Sequence, residues 1–335
     1  MKKLALVLAV LICAVSIGFA GCGGNQKLRV NEVTHSIFYA PFYAAINLGY
    51  FEEEGIEIDL TNGGGSDKSM TAIVSGDADV ALLGPETAVY VVNEGASNAP
   101  VIFGQLTKRD GSLLVGRNPE PNFKWSNLIG KEIIGGRRGG SPAMALQYAI
   151  ENVNNLPVGT GANEVNINLD VAFNLVVGAF EAGTGDYCTM FEPTASEYVA
   201  AGKGYIVASV GEECGEVPFT CFMAMEKYIN NNEAQIKAFL RAVVKGYNYL
   251  MTATDDQIYE ALAPSFSTST KASIVSSVKT YIAIDAWMST PVMEESAYNR
   301  LLAIMQNAGE LEGSVAFTDV VNNSYATEVM KELAK

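Results

Sequence analysis

Residues 35–58 read HSIFYAPFYAAINLGYFEEEGIEI. Phe38, Tyr39, Phe42 and Tyr43 crowd a short run around Pro41, the one proline of the stretch. An apolar helix over 41–48 follows, then the acidic turn Glu52-Glu53-Glu54-Gly55 and a strand over 56–60. Two or three aromatic rings would fill the volume beside a strand end, so four imply that some face a ligand. Ser36, Phe38, Tyr39 and Phe42 are therefore candidate ligand contacts, with one or two of the aromatics expected in the core.

The order seen here, strand then kinked loop then helix start, recurs on both sides of the stretch. A strand over 28–33 leads into the aromatic loop. The strand over 56–60 leads into Gly63-Gly64-Gly65-Ser66-Asp67 and a helix to about residue 75. A strand over 80–83 leads into Gly84-Pro85-Glu86 and a helix to about residue 93. This alternation belongs to an α/β fold with mostly parallel sheets. It aims several helix N-termini at the carboxyl edge of one sheet, where open α/β folds bind ligands.

Strands over 101–106 and 112–115 flank Lys108-Arg109-Asp110-Gly111, a candidate crossing between lobes. A strand over 131–134 opens a second core. The turn Gly135-Gly136-Arg137-Arg138-Gly139-Gly140 follows it. Ser141 as N-cap and Pro142 at the first helical position specify a helix start. Leu146, Ala149, Ile150 and Val153 keep one buried face. Strands over 186–191 and 204–209 follow, and the apolar run 217–225 returns to the first lobe. From Asn231 the chain is mainly helical, with Ile236, Phe239, Leu240, Val243, Tyr247 and Leu250 at helical spacing. About 310 residues beyond the leader exceed what one core holds, so two lobes are expected. The first would hold 27–108 plus 217–335 and the second 109–216.

Each polar constellation has a ligand reading beside a structural one. Gly139-Gly140-Ser141 at a helix start, with Arg137 near, has the donors and dipole of an anion site. The alternative is a tight turn carrying solvated arginines. No Gly-Lys-Ser/Thr follows at P-loop spacing. Gly65-Ser66 offers similar physics with less charge, and Asp67 would oppose an anion there. Gly84, Pro85 and Glu86 open a third helix, where an acid complements the dipole without any ligand. As ligand contacts, Glu86 and Glu192 would suit an amine or amidine. His35 lacks a linked nucleophile motif such as G-x-S-x-G, so it reads as a hydrogen-bonded structural residue rather than a general base.

The motif Gly49-Tyr50-Phe51-Glu52-Glu53-Glu54-Gly55 closely resembles the opening of substrate-binding proteins of ABC importers in the nitrate/sulfonate/taurine/thiamine-precursor group. The resemblance extends through Gly76-Asp77-Ala78-Asp79-Val80, Gly84-Pro85-Glu86, the glycine-rich turn, Phe191-Glu192-Pro193 and 202–209. It implies a periplasmic-binding-protein-like fold of type II and an aromatic loop facing the ligand. It also implies a small-molecule ligand delivered to an ABC permease and its ATPase, with no cofactor. The arginines and helix starts favour a sulfonate-, nitrate- or taurine-like anion, which is the leading expectation. The aromatics and acids favour a thiamine-precursor pyrimidine or another aromatic amine. A surface sensor is a further reading. The thiamine-pyrimidine synthases of this fold carry a Cys-Cys-Cys-Phe-Cys motif and active-site histidines that are missing here, which argues against an enzyme.

Lys2 and Lys3 precede an apolar run over 4–20, the pattern of an export signal spanning 1–21. Phe19-Ala20-Gly21-Cys22 resembles a lipobox, with Cys22 acylated and residues 22–26 as a tether. The expected place is the outer face of the cytoplasmic membrane or the periplasm, as a lipid-anchored monomer. Loss of Lys2 and Lys3 takes 22 basic residues to 20 against 37 acids, a formal charge of −17. That surface excludes nucleic acid, which rewards clustered Lys and Arg. Cys188, Cys214 and Cys221 then remain, an odd set with at least one unpaired thiol. They lack C-x-x-C spacing, and with one histidine in the chain a structural zinc site is not expected.

Overall fold

A computed structural model describes residues 26–335. The leader, Cys22 and the tether as far as Asn25 lie outside the described residues. Two five-stranded sheets form the two lobes. The first has the order β2-β1-β3-β10-β4, from β1 (Gln26–Glu32), β2 (Ile56–Asn62), β3 (Val80–Leu83), β4 (Pro100–Thr107) and β10 (Thr220–Met225). The second has the order β7-β6-β8-β5-β9. Its strands are β5 (Leu113–Gly116), β6 (Glu132–Ile134), β7 (Asn166–Asn168), β8 (Tyr187–Met190) and β9 (Tyr205–Ser209).

Both sheets are mixed, which is less parallel than the alternation in sequence suggests. In the first, β1 runs parallel to β2 and β3, while β10 is antiparallel to β3 and β4. In the second, β6 runs parallel to β7 and β8, while β5 is antiparallel to β8 and β9. The reversed strand in each sheet is the one that directly follows a passage between sheets.

Helix α1 (Ala40–Asn47) lies against α5 (Glu233–Thr252) in the first lobe. The backbones approach so closely that a Cβ on Gly246 would stand 2.1 Å from the Pro41 carbonyl oxygen. Ile236, Phe239, Leu240, Val243 and Leu250 face that interior. Phe42 is in the same core, its ring 5.7 Å from Phe51, 5.6 Å from Phe222 and 6.0 Å from Phe239. A smaller core built on Leu113, Val115, Ile134, Phe180, Cys188 and Met190 supports the second sheet. Cys188, Cys214 and Cys221 are all buried and unpaired. Among the described residues, no helix is long and apolar enough to cross a membrane.

Two local expectations are corrected in the second lobe. Helix α4 runs Ser141–Tyr148 with Gly140 at the N-cap, so Ser141 is the first helical residue and does not cap. Its hydroxyl is used across the cleft instead. After Tyr148 the chain widens into a π turn over Ala149–Val153. The wider turn rotates Val153 off the face shared by Leu146, Ala149 and Ile150, leaving it 41% exposed.

Candidate functional site

The loops that follow β2, β3 and β6 each open a helix: α2 (Ser66–Ser75), α3 (Glu86–Asn93) and α4. Their starts converge between the lobes on a cavity of about 360 Å³. Of the residues singled out in the sequence, Tyr39, Gly65, Ser66, Gly84, Glu86, Arg137, Gly139, Gly140 and Ser141 line it. Ser36, Phe38, Phe42, Pro85 and Glu192 do not.

Four of those absences have a physical reason. Phe42 is drawn into the first-lobe core. Phe38 forms a second layer, with its ring 5.5 Å from Phe191 and 5.8 Å from Phe219, both of which line the cavity. The Ser36 hydroxyl caps the following 3-10 turn by accepting from Phe38 N, and donates to the Glu192 carbonyl oxygen at 2.6 Å. Glu192 turns its carboxylate onto the next helix, accepting from Ser196 N at 2.9 Å and Ser196 Oγ at 2.7 Å. Its backbone N–H donates to the Tyr281 hydroxyl at 2.9 Å. Glu192 thus joins the lobes through its main chain.

Sequence reasoning missed Tyr90, Phe173, Phe191 and Phe219 on the wall, together with Thr34, Lys68, Met70 and Asn174. Tyr90 had a usable signal, because it sits four residues after Glu86 on the same helix face. Phe173 and Phe219 had none, since their position depends on how the second lobe and the return strand fold back.

The charges in the cleft are largely satisfied by the protein itself. Arg137 Nη1 meets Asp67 Oδ1 at 2.6 Å. The Glu86 carboxylate is 1% exposed. It accepts from Ser141 Oγ at 2.5 Å and from Ser141 N at 3.3 Å. It folds back so far that a Cβ on Gly84 would stand 2.0 Å from Oε2, so a side chain there would have to displace the carboxylate. Burial raises the affinity of Glu86 for its proton, and the Ser141 bonds and the Arg137 charge offset only part of that. The Tyr90 hydroxyl donates to the Gly139 carbonyl oxygen at 2.8 Å, and Gly139 takes φ +72°, which favours glycine. These contacts bridge the two lobes beside the cavity.

His35 stands outside the cavity wall. Its Nδ1 is 2.8 Å from Glu32 Oε1 and its Nε2 is 2.8 Å from the Ser265 carbonyl oxygen. Tyr43 donates to the other Glu32 oxygen. Both ring nitrogens are used in packing the first lobe.

The two-lobe fold is shared with proteins of known kind. The family model described as NMT1/THI5 like matches residues 37–256. The chain belongs to the NMT1/THI5-like family. A protein described as a binding protein, YtlA of Bacillus subtilis (strain 168), is 37% identical over 306 residues, covering 91% of this chain and 90% of that one. The alkanesulfonate-binding protein SsuA of Xanthomonas axonopodis pv. citri, solved with MOPS bound, has a similar fold. Its TM-score is 0.69 at 14% identity, over 89% of this chain and 98% of that one. The periplasmic nitrate-binding protein NrtA of Synechocystis PCC 6803 gives a TM-score of 0.71 at 15% identity, over 92% and 89%. The desulfurization enzyme DSZB is similar in fold as well, with a TM-score of 0.62 at 11% identity, over 92% and 99%. This NMT1/THI5-like chain therefore carries the fold of the substrate-binding proteins of ABC importers.

Proposed function

We propose that the protein is an exported receptor, not an enzyme, that captures a small organic solute between its lobes and delivers it to an ABC permease and its ATPase. On this reading the lobes are 27–108 plus 217–335 and 109–216, and they close by bending at the two passages between sheets. The leader is removed and Cys22 carries the lipid that holds a monomeric receptor outside the membrane. The naming of YtlA as a binding protein supports the receptor role, while DSZB is similar in fold alone.

The ligand proposed is a flat, unsaturated molecule bearing N–H donors, such as a pyrimidine or another aromatic amine. One observation carries this: Tyr39, Tyr90, Phe173, Phe191 and Phe219 wall the cavity, while Arg137 is already paired with Asp67. Rings gain area burial and stacking from such walls. Lys68 favours a second reading. It lines the cavity with no ion-pair partner among the described residues, and could hold the head group of a sulfonate whose apolar body fills the rest. Screening by thermal shift separates the two. A ligand present at 100 times its Kd stabilises the folded state by about 2.7 kcal/mol. Pyrimidines or aromatic amines should raise the melting temperature, and a response to sulfonates alone would favour the second reading.

A further inference from the structure

We propose that the Glu86 carboxyl is a built-in occupant of the helix-start cradle and determines which ligands the cleft accepts. The inference rests on the reading of the cavity as a solute site, and goes beyond it by assigning ligand selection to one residue. The starts of α3 and α4, from opposite lobes, face each other across the cleft. Opposed helix starts with an added serine hydroxyl make a strong cradle for a free oxyanion, since their N–H groups lack partners within the helix. Here the cradle is already filled. The Glu86 carboxylate takes the Ser141 N–H and hydroxyl together, sits at the start of its own helix, and occupies the space left by the missing side chain of Gly84.

That arrangement has two consequences for a ligand. An anion would have to displace a bonded carboxyl group that already takes the helix-start N–H and the Ser141 hydroxyl. A ligand presenting N–H donors toward Glu86 instead meets an acceptor held in fixed geometry by Ser141. Asp67 plays a lesser part at the start of α2, where it neutralises Arg137. Glu86 is thus a specificity-determining residue, and Gly84 and Ser141 position it.

Titration calorimetry of nitrate and sulfate into wild type, Glu86→Ala and Glu86→Ser tests this. Wild type is expected to bind both anions weakly. Removing the carboxylate should tighten sulfate binding by on the order of 30-fold, the gain from freeing the helix starts. Adding Ser141→Ala should return most of that gain. Glu86→Ser retains a short capping hydroxyl and keeps the test open if the alanine variant does not fold. A Glu86 variant that melts cooperatively yet binds both anions no better than wild type overturns the inference, as does a wild type that already binds them tightly. The two failures separate. A wild type that neither retains nor is stabilised by any solute contradicts the receptor reading, whereas anion affinities unmoved by the Glu86 variants contradict this inference alone.

Discussion

Arg137 Nη1 lies 2.6 Å from Asp67 Oδ1, and the two residues come from opposite lobes. Both side chains are about half exposed, so the pair adds only about 0–1 kcal/mol to closure. Arg137→Ala and Asp67→Ala should therefore weaken solute binding by similar, small factors, below about 5-fold, in calorimetric titrations. If Arg137 were an anion ligand, its loss would abolish binding and the loss of Asp67 would strengthen it.

The aromatic run at 38–43 makes contacts of different kinds, and substitution should separate them. Phe42 is fully buried among Phe51, Phe222 and Phe239, so Phe42→Ala should cost about 3–5 kcal/mol of folding stability. Solute affinity of the folded fraction should stay the same. Phe173→Ala, on the cavity wall, should do the reverse. It should weaken binding by roughly 10-fold with little change in melting temperature.

The passages between sheets tolerate no side chain at two glycines. A Cβ on Gly111 would stand 2.5 Å from the Phe38 ring, and one on Gly211 would stand 2.0 Å from the Asp110 carbonyl oxygen. A ring can shift, but a backbone oxygen held in a packed crossing cannot. Gly211→Ala should therefore lower the melting temperature more than Gly111→Ala, with overpacking costs on the order of 1–3 kcal/mol. Differential scanning calorimetry of the two variants measures the order.

Asp110, in the first passage, is fully buried. Its Oδ1 accepts from Ser112 N at 2.7 Å, and its Oδ2 finds no hydrogen-bond partner among the described residues. Burial pushes its carboxyl from the ordinary 3.8 up to about 7. Between those values the folded state holds a proton that the unfolded state has released. Stability from this group is therefore highest below pH 3.8, declines through the window, and is lost once pH passes about 7. Asp110→Asn should flatten that decline and leave the variant more stable than wild type above pH 7, measured by urea unfolding across the range.

Burial also pushes the thiols of Cys188 and Cys214 up to about 12 and that of Cys221 well above its ordinary value. A form beginning at residue 26 should leave all three unmodified by a thiol-alkylating reagent at neutral pH, because the thiolate is the reactive species. Denaturant should expose all three, as counted by intact-mass measurement.

Much of the site was legible because loops after parallel strands of both sheets meet at the cleft between the lobes. That rule alone brought Gly65, Ser66, Gly84, Glu86, Arg137 and Gly139–Ser141 to the cavity. Glu192 escaped it through a local competitor, since Ser196 four residues on captures its carboxylate. Among the aromatics, residue type gave no way to separate Tyr39 on the wall from Phe42 in the core, because helix rotation decides it. The mixed sheets were hidden for a similar reason. A buried strand such as Thr220–Met225 reads the same in either direction, and the neighbours that it pairs with, β3 and β4, are remote in sequence.

Mass spectrometry of the solute released from natively purified protein tests the central claim most directly. The account predicts an unsaturated, nitrogen-bearing small molecule retained at close to one per chain, whose re-addition raises the melting temperature. Retention of a sulfonate or an inorganic anion, with no thermal response to pyrimidines or aromatic amines, would contradict it.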